Sequence, residues 1–297
     1  MEKREKPNKL IIIVVSKNYH LQLSLFLKRN TPLVDQLIVV TQEDDIDTTG
    51  VVNEQIDRVR YPDFIQKVKN TRIKHIHYPL DMGKHNPNIH AKSPYSTGIE
   101  SQVLVPNGSL LYVPAQQNYD FTDDLNYGYP CFDKGGAQRL AQEQIDEDDA
   151  IILCLDSDVI LTKEIVEYLK YTEFEYDVLY GANRKDVSNL KDFRQKKNIK
   201  QYFRWNALDG YFHMYRHSPD NVRKFRRSYS AAYVDTAFKA LWCRGDKHPE
   251  YYTAANDQGL DILPEEFFVY HLGHDPDRVY ADFHSRWRGK TGGNFAN

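Results

Sequence analysis

Apolar residues gather in short dense runs separated by polar, proline-bearing stretches, and the runs differ in period. Leu10-Ile-Ile-Ile-Val-Val15 is unbroken and mostly β-branched, the pattern of a strand covered on both faces. Leu37–Thr41 and Ala150–Leu155 follow the same pattern. Leu21, Leu25 and Phe26 precede Lys28 and Arg29 at helical spacing and predict a helix over 19–29. Residues 57–68 predict a partial helix interrupted by Pro62. Arg72–Tyr78 alternates and predicts a third strand. The order β-α-β-α-β predicts an α/β domain built on a mostly parallel sheet flanked by helices. Residues 1–9 read as a disordered tail.

Residues 79–130 break the pattern with six prolines and predict an inserted irregular segment, with Leu110–Val113 as one hairpin strand. Beyond it, 138–145 predicts a helix, and Thr162 is placed to cap a helix over 163–170. Strands are predicted at 177–180, 211–215 and 266–271, a surface helix in the charged run 185–201, and a helix at 230–241.

Composition narrows the function classes. Lys and Arg number 39 against 42 Asp and Glu, a net charge of −3, so there is no basic footprint for nucleic acid. The longest aliphatic run has six residues (Leu10–Val15), far short of the roughly 20 of a membrane span. Three cysteines are too few for a disulfide framework. These features predict a soluble protein of the reducing cytoplasm. The 21 tyrosines suit a sugar-binding cleft, because each offers an apolar face and a polar tip, although half-buried filler is the ordinary role of any single one.

The candidate chemistry starts at Asp156-Ser157-Asp158, which directly follows a buried strand. In an open α/β sheet, ligands bind at the carboxyl ends of strands. In extended chain these two carboxylates share a face, about 6.6 Å apart at Cα, and can hold a divalent cation. Helix capping is the ordinary alternative for such residues, and Thr162 is better placed for it. His271, at the end of the last predicted strand, can add a nitrogen ligand; His274 competes with it. Asp257, in Asn256-Asp257, reads either as a cap or as a base. Lys134-Gly135-Gly136-Ala137-Gln138-Arg139 places paired glycines before a predicted helix, where phosphate could approach. His75/His77 and His213/His217 read as structural. The P-loop, dinucleotide and Gly-x-Ser-x-Gly patterns are absent from the sequence.

In this order, the opening strand, Lys134–Arg139, Asp156-Ser157-Asp158, Asp209-Gly210-Tyr211-Phe212, Asn256-Asp257 and His271-Leu272-Gly273-His274 resemble the GT-A glycosyltransferases, in particular the metal-dependent family-2-like and galactosyltransferase-like branch. The resemblance implies a single GT-A domain over 10–297, with 10–158 binding a nucleotide-sugar and 159–297 binding the acceptor. It implies Mn²⁺ or Mg²⁺ on Asp156, Asp158 and His271. The donor would be a nucleotide-diphosphate sugar, UDP-sugar foremost, contacted also by Lys134 and Arg139, with Arg286 and Arg288 as further diphosphate contacts. A carbohydrate acceptor would meet Asp209, Tyr211 and Phe212. Asp257 would be the base of an inverting transfer. The chain departs from the family in carrying Asn256 where Glu is common, and 81–130 matches nothing in it. A nucleotidyltransferase is the first rival, although Ser16-Lys17-Asn18-Tyr19 is not its glycine-rich basic loop. A catalytically inactive sugar-binding protein is the second.

Overall fold

The computed structural model describes residues 4–16, 19–42, 45–60, 72–78, 101–104, 110–113, 134–187, 190–202, 208, 210–218, 220, 223–225, 231–245 and 253–272. In chain order the strands are β1 (Leu10–Ser16), β2 (Gln36–Gln42), β3 (Arg72–Tyr78), β4 (Ser101–Leu104), β5 (Leu110–Val113), β6 (Ile151–Asp156), β7 (Val159–Leu161), β8 (Leu179–Gly181), β9 (Asn183–Val187), β10 (Lys200–Tyr202), β11 (Phe212–Arg216), β12 (Leu260–Ile262) and β13 (Phe268–Leu272). The helices are α1 (His20–Asn30), α2 (Ile46–Arg60), α3 (Lys134–Gln142), α4 (Lys163–Tyr171), α5 (Leu190–Gln195) and α6 (Ala231–Ala240).

Seven strands form the central sheet in the order β12-β8-β11-β6-β1-β2-β3. β6, β1, β2 and β3 run parallel, while β11 is antiparallel to both β6 and β8. Every residue of β1 and β2 is buried, because both faces of the sheet are covered. Leu10, Ile12 and Val14 point into one core with Leu23 and Phe26 of α1 and Ile165 and Leu169 of α4. Ile11, Ile13 and Val15 point into the other, with Ala137 and Ala141 of α3 and Phe238 of α6. A continuous apolar run is what period-2 alternation gives when both faces are dry. A second sheet, β10-β9-β13-β7, places β13 between β9 and β7. β4 and β5 pair as an antiparallel ribbon. Among the described residues no helix is long and apolar enough to cross a membrane.

Several sequence expectations change. Residues 4–9 are tied down: the Arg4 amide donates to Tyr171, and buried Asn8 donates from its side chain to the carbonyls of Leu169 and Thr172. α2 begins at Ile46, with the Asp45 carboxylate accepting from the Thr48 amide as its cap. The run 185–201 is not one surface helix, because Asn183–Val187 and Lys200–Tyr202 pair as strands around short α5. α3 starts at Lys134, so Gly135 and Gly136 lie inside its first turn, buried, and form no loop before a helix. The Thr162 hydroxyl caps α4 as expected, accepting from the Ile165 amide at 3.3 Å.

Candidate functional site

Two strand junctions bring the acidic residues together. β6 ends at Asp156, and a tight turn through Ser157 and Asp158 leads into β7. The chain is therefore not extended through the Asp-Ser-Asp segment, and its two carboxylates take different surroundings. Asp156 is 35% exposed and accepts from Lys134 Nζ at 2.9 Å. Asp158 is 4% exposed and faces His271 Nε2 at 3.5 Å.

The first cluster is Lys134, Asp156 and Asp235. Lys134, at the start of α3, also reaches the two oxygens of Asp235 on α6 at 3.3 and 3.2 Å. Burial alone would lower the Lys134 pKa, but the two carboxylates more than offset it and hold the ammonium well above its ordinary range. Two carboxylates and one ammonium leave the cluster a formal charge of −1. A Cβ on Gly210 would lie 1.8 Å from Asp235 Oδ2, so the absence of a side chain there is what admits the carboxylate.

The second cluster is Asp158, His271, Asp186 and Arg184, assembled by strand register. On β13, His271 is the cross-strand partner of Val159 on one side and of Asp186 on the other. The Leu272 amide donates to the Asp158 carbonyl at 2.9 Å. The imidazole thus lies between two carboxylates, with Nε2 toward Asp158 and Nδ1 3.4 Å from Asp186 Oδ1. Arg184 Nε is 3.0 Å from the same Asp186 oxygen. Its guanidinium also stands over the Tyr211 ring at 4.8 Å, and that ring packs against His271 with centroids 5.7 Å apart.

Among the described residues no three His, Cys, Asp or Glu side chains converge on one point suited to a metal. Asp158 and Asp186 sit on opposite nitrogens of one ring, so they cannot both reach the same ion beside it. Asp158 Oδ1 and His271 Nε2 are nevertheless spaced nearly like two neighbouring ligands of one cation, with both side chains almost sealed from solvent. With bonds of about 2.1 Å, adjacent ligands lie roughly 3.0 to 3.4 Å apart, against the 3.5 Å present. Magnesium-type sites commonly use only one or two protein carboxylates and complete the shell with water and substrate phosphate.

No family model matches this chain, and no curated protein matches it. Among solved structures, the inositol-1-phosphate CTP transferase from T. maritima is similar over 97% of this chain and 98% of that one, at 8% sequence identity and a TM-score of 0.37. A likeness this distant leaves the chemistry to the side chains.

Of the residues singled out by sequence, the structure joins Asp158 with His271, and Asp156 with Lys134. Asp257 goes elsewhere. Its carboxylate accepts from the Arg244 amide at 3.0 Å and the Gly259 amide at 2.8 Å, holding the turn before β12 to the chain after α6; no helix begins there among the described residues, so it is not a helix cap. Arg139 is half exposed and pairs with Glu143 one helical turn on, not with the carboxylates. Phe212 is fully buried, and Tyr211 is 6% exposed; a ring sealed in the core cannot stack on a ligand, so the acceptor-stacking role fails for Phe212, and Tyr211 instead packs beneath His271. Asp209, His274, Arg286 and Arg288 lie outside the described residues. Sequence reasoning missed Asp235, Asp186 and Arg184. A lone acid inside the apolar stretch Ala231–Ala240 was the available signal for the first.

Proposed function

We propose that this chain is a metal-dependent transferase that moves a glycosyl group from a nucleotide-diphosphate sugar to a hydroxyl acceptor. The observation that carries this reading is the Asp158–His271 pair beside the Lys134–Asp156–Asp235 cluster, both reached from the carboxyl end of β6. Asp158 and His271 would hold Mn²⁺ or Mg²⁺, with Asp156 at the same strand end. The cation, when bound, supplies charge stabilisation for a leaving diphosphate. Asp235 takes the proton of the attacking hydroxyl in this reading, in place of Asp257, whose oxygens accept backbone amides of a turn. Uptake of one proton carries the Lys134 cluster from −1 to neutral, so this partly buried cluster gains no charge. Lys134 keeps Asp235 and Asp156 in place before the proton arrives.

The test is release of nucleoside diphosphate from a panel of nucleotide-sugars with Mn²⁺, with Asp158→Ala as the comparison. Release that vanishes in a folded Asp158→Ala variant supports the reading. Equal release from both proteins overturns it. Pyrophosphate formed from a nucleoside triphosphate and a sugar phosphate, with no diphosphate released, would replace it with nucleotidyl transfer.

A further inference from the structure

We infer that a cleft at the amino end of the central sheet binds a small zwitterion, a molecule carrying a carboxylate or phosphate group together with an ammonium group. The cleft has a volume of about 430 Å³ and lies between the segment Glu173–Asp177, Arg216 at the end of β11 and Arg244 beyond α6. That volume falls within the range of small-molecule sites. Arg216 is the cross-strand partner of Ile151, the first residue of β6, whereas the acidic clusters described above gather around Asp156, the last. Five strand steps of about 3.3 Å separate those two ends. The cleft is therefore a separate place on the molecule, and the inference does not rest on the transfer chemistry proposed above.

Arg216 is built into the wall of this cleft. Its side chain is only 10% exposed, and its Nε pairs with Asp149. Nη1 donates to the Phe174 carbonyl at 2.9 Å and to the Glu173 carboxylate at 3.0 Å. The guanidinium also stands 4.1 Å over the Tyr176 ring. These contacts fix the plane of the fork and engage Nε and Nη1, leaving the Nη2 edge for an oxyanion. The other charges of the cleft decide what must accompany that oxyanion. Glu173 is paired with Arg216, and Asp177 with Arg223 at 3.3 Å. Glu175 and Arg244 are both exposed and form no ion pair among the described residues. Their backbones are nonetheless anchored: the Glu175 amide donates to the Tyr180 hydroxyl at 3.2 Å, and the Arg244 amide to Asp257 at 3.0 Å. The Arg244 guanidinium makes one long bond, 3.4 Å, to the Asp177 carbonyl. With Arg223 included, three arginines face three acids, so the lining is neutral. A simple anion would satisfy the guanidinium groups and leave Glu175 unmatched and repelled. A simple cation would do the reverse at Arg244. A molecule with both groups matches both and brings no net charge.

The experiment is isothermal titration calorimetry of the full chain at low ionic strength, where exposed charges are least screened. The zwitterionic probes are phosphoethanolamine and β-alanine; their single-charge halves are inorganic phosphate, propionate and ethylammonium. We expect at least one zwitterion to bind saturably with a Kd of about 1 mM or below, and each half to bind about tenfold more weakly or not at all. Whichever zwitterion binds more tightly identifies the oxyanion as phosphate or carboxylate. Glu175→Gln and Arg244→Gln change exposed side chains and should leave the circular dichroism spectrum unaltered. Each should weaken the zwitterion about 3–10-fold, and Glu175→Gln should also erase its advantage over the matching anion. No saturable binding of either zwitterion up to about 10 mM overturns the inference. Unchanged affinity in either variant overturns it too, since the ligand would then sit elsewhere. An anion that binds wild type as tightly as its zwitterion shows that the ammonium is not recognised and overturns the zwitterion.

Discussion

His213 lies directly behind the Lys134 cluster and ties the stability of the fold to pH. It sits on β11 opposite Cys154 of β6, fully buried, with its ring 5.7 Å from that of Phe238. Among the described residues neither ring nitrogen has a hydrogen-bond partner. Burial pushes its pKa down to about 3 from the ordinary 6.5, and the nearby Lys134 ammonium acts the same way. Between those two values the unfolded chain binds a proton that the folded chain refuses, so folding stability is complete above pH 6.5 and falls as pH drops. At about 1.4 kcal/mol per pH unit, His213 alone removes about 2 kcal/mol on going from pH 7 to pH 5. The perturbation is His213→Leu, which has no proton to take up. Denaturant unfolding of both proteins at pH 7 and pH 5 gives four stabilities. The fall from pH 7 to pH 5 should be about 2 kcal/mol smaller in the variant, because every other titrating group, His75 included, cancels in the comparison. At pH 7 the variant should be as stable as wild type or more stable, since an apolar side chain replaces an unpartnered polar one. Equal falls in the two proteins would refute the reasoning.

Three further predictions follow from local geometry. Lys134→Met leaves Asp156 and Asp235 without their shared cation; partial exposure of both acids tempers the cost to about 1–3 kcal/mol at pH 7, read by denaturant unfolding. Because the Lys134 pKa is raised on folding, its contribution is complete below about pH 10.4 and is lost only as pH rises beyond that, so the wild-type minus Lys134→Met difference should stay constant from pH 7 to 9. Gly210→Ala puts a methyl 1.8 Å from Asp235 Oδ2; overpacking should cost about 1–3 kcal/mol, seen as a lowered Tm, and a Tm equal to wild type would show that Asp235 moves freely. Asp257→Ala strands the Arg244 and Gly259 amides and should cost about 1–3 kcal/mol, with Asp257→Asn costing less; lost turnover at unchanged stability would return Asp257 to the chemistry.

Most strands of the central sheet were legible because their signal is local; three-residue β12 was not. Leu10–Val15 and Ile151–Leu155 are buried on both faces, and a run of apolar residues declares that without knowledge of any partner. The elements that build the site were harder to see. β9 carries Asn183, Arg184, Lys185 and Asp186, which as bare sequence resemble a solvated helix. Asn183, Arg184 and Asp186 are nonetheless buried, and Arg184 and Asp186 form an ion pair there. Pairing of that kind depends on which strand lies alongside, and the register of β13 against β9 spans some eighty residues of chain. Asp257 illustrates the converse. An Asn-Asp pair near the end of the chain fits a catalytic motif and a turn equally well on spacing, and only the positions of the Arg244 and Gly259 amides distinguish them.

The Asp-Ser-Asp segment divides its labour because of the turn within it. Were the chain extended there, both carboxylates would face one ion and repel each other unless it was bound. The turn instead gives Asp156 to Lys134 and Asp158 to His271, so each carboxylate has a counterpart before any cation arrives. Gly210 and Tyr211 make the two halves a single unit. Gly210 abuts Asp235, the Tyr211 carbonyl accepts from the Asp156 amide at 3.2 Å, and the Tyr211 ring packs on His271 and under Arg184. Asp235 and the imidazole are therefore linked through two consecutive residues. Close packing resists independent movement, so in the proposed reading a proton acceptor at Asp235 and a cation at Asp158 would be held at a fixed separation, as a transfer between two bound substrates would require.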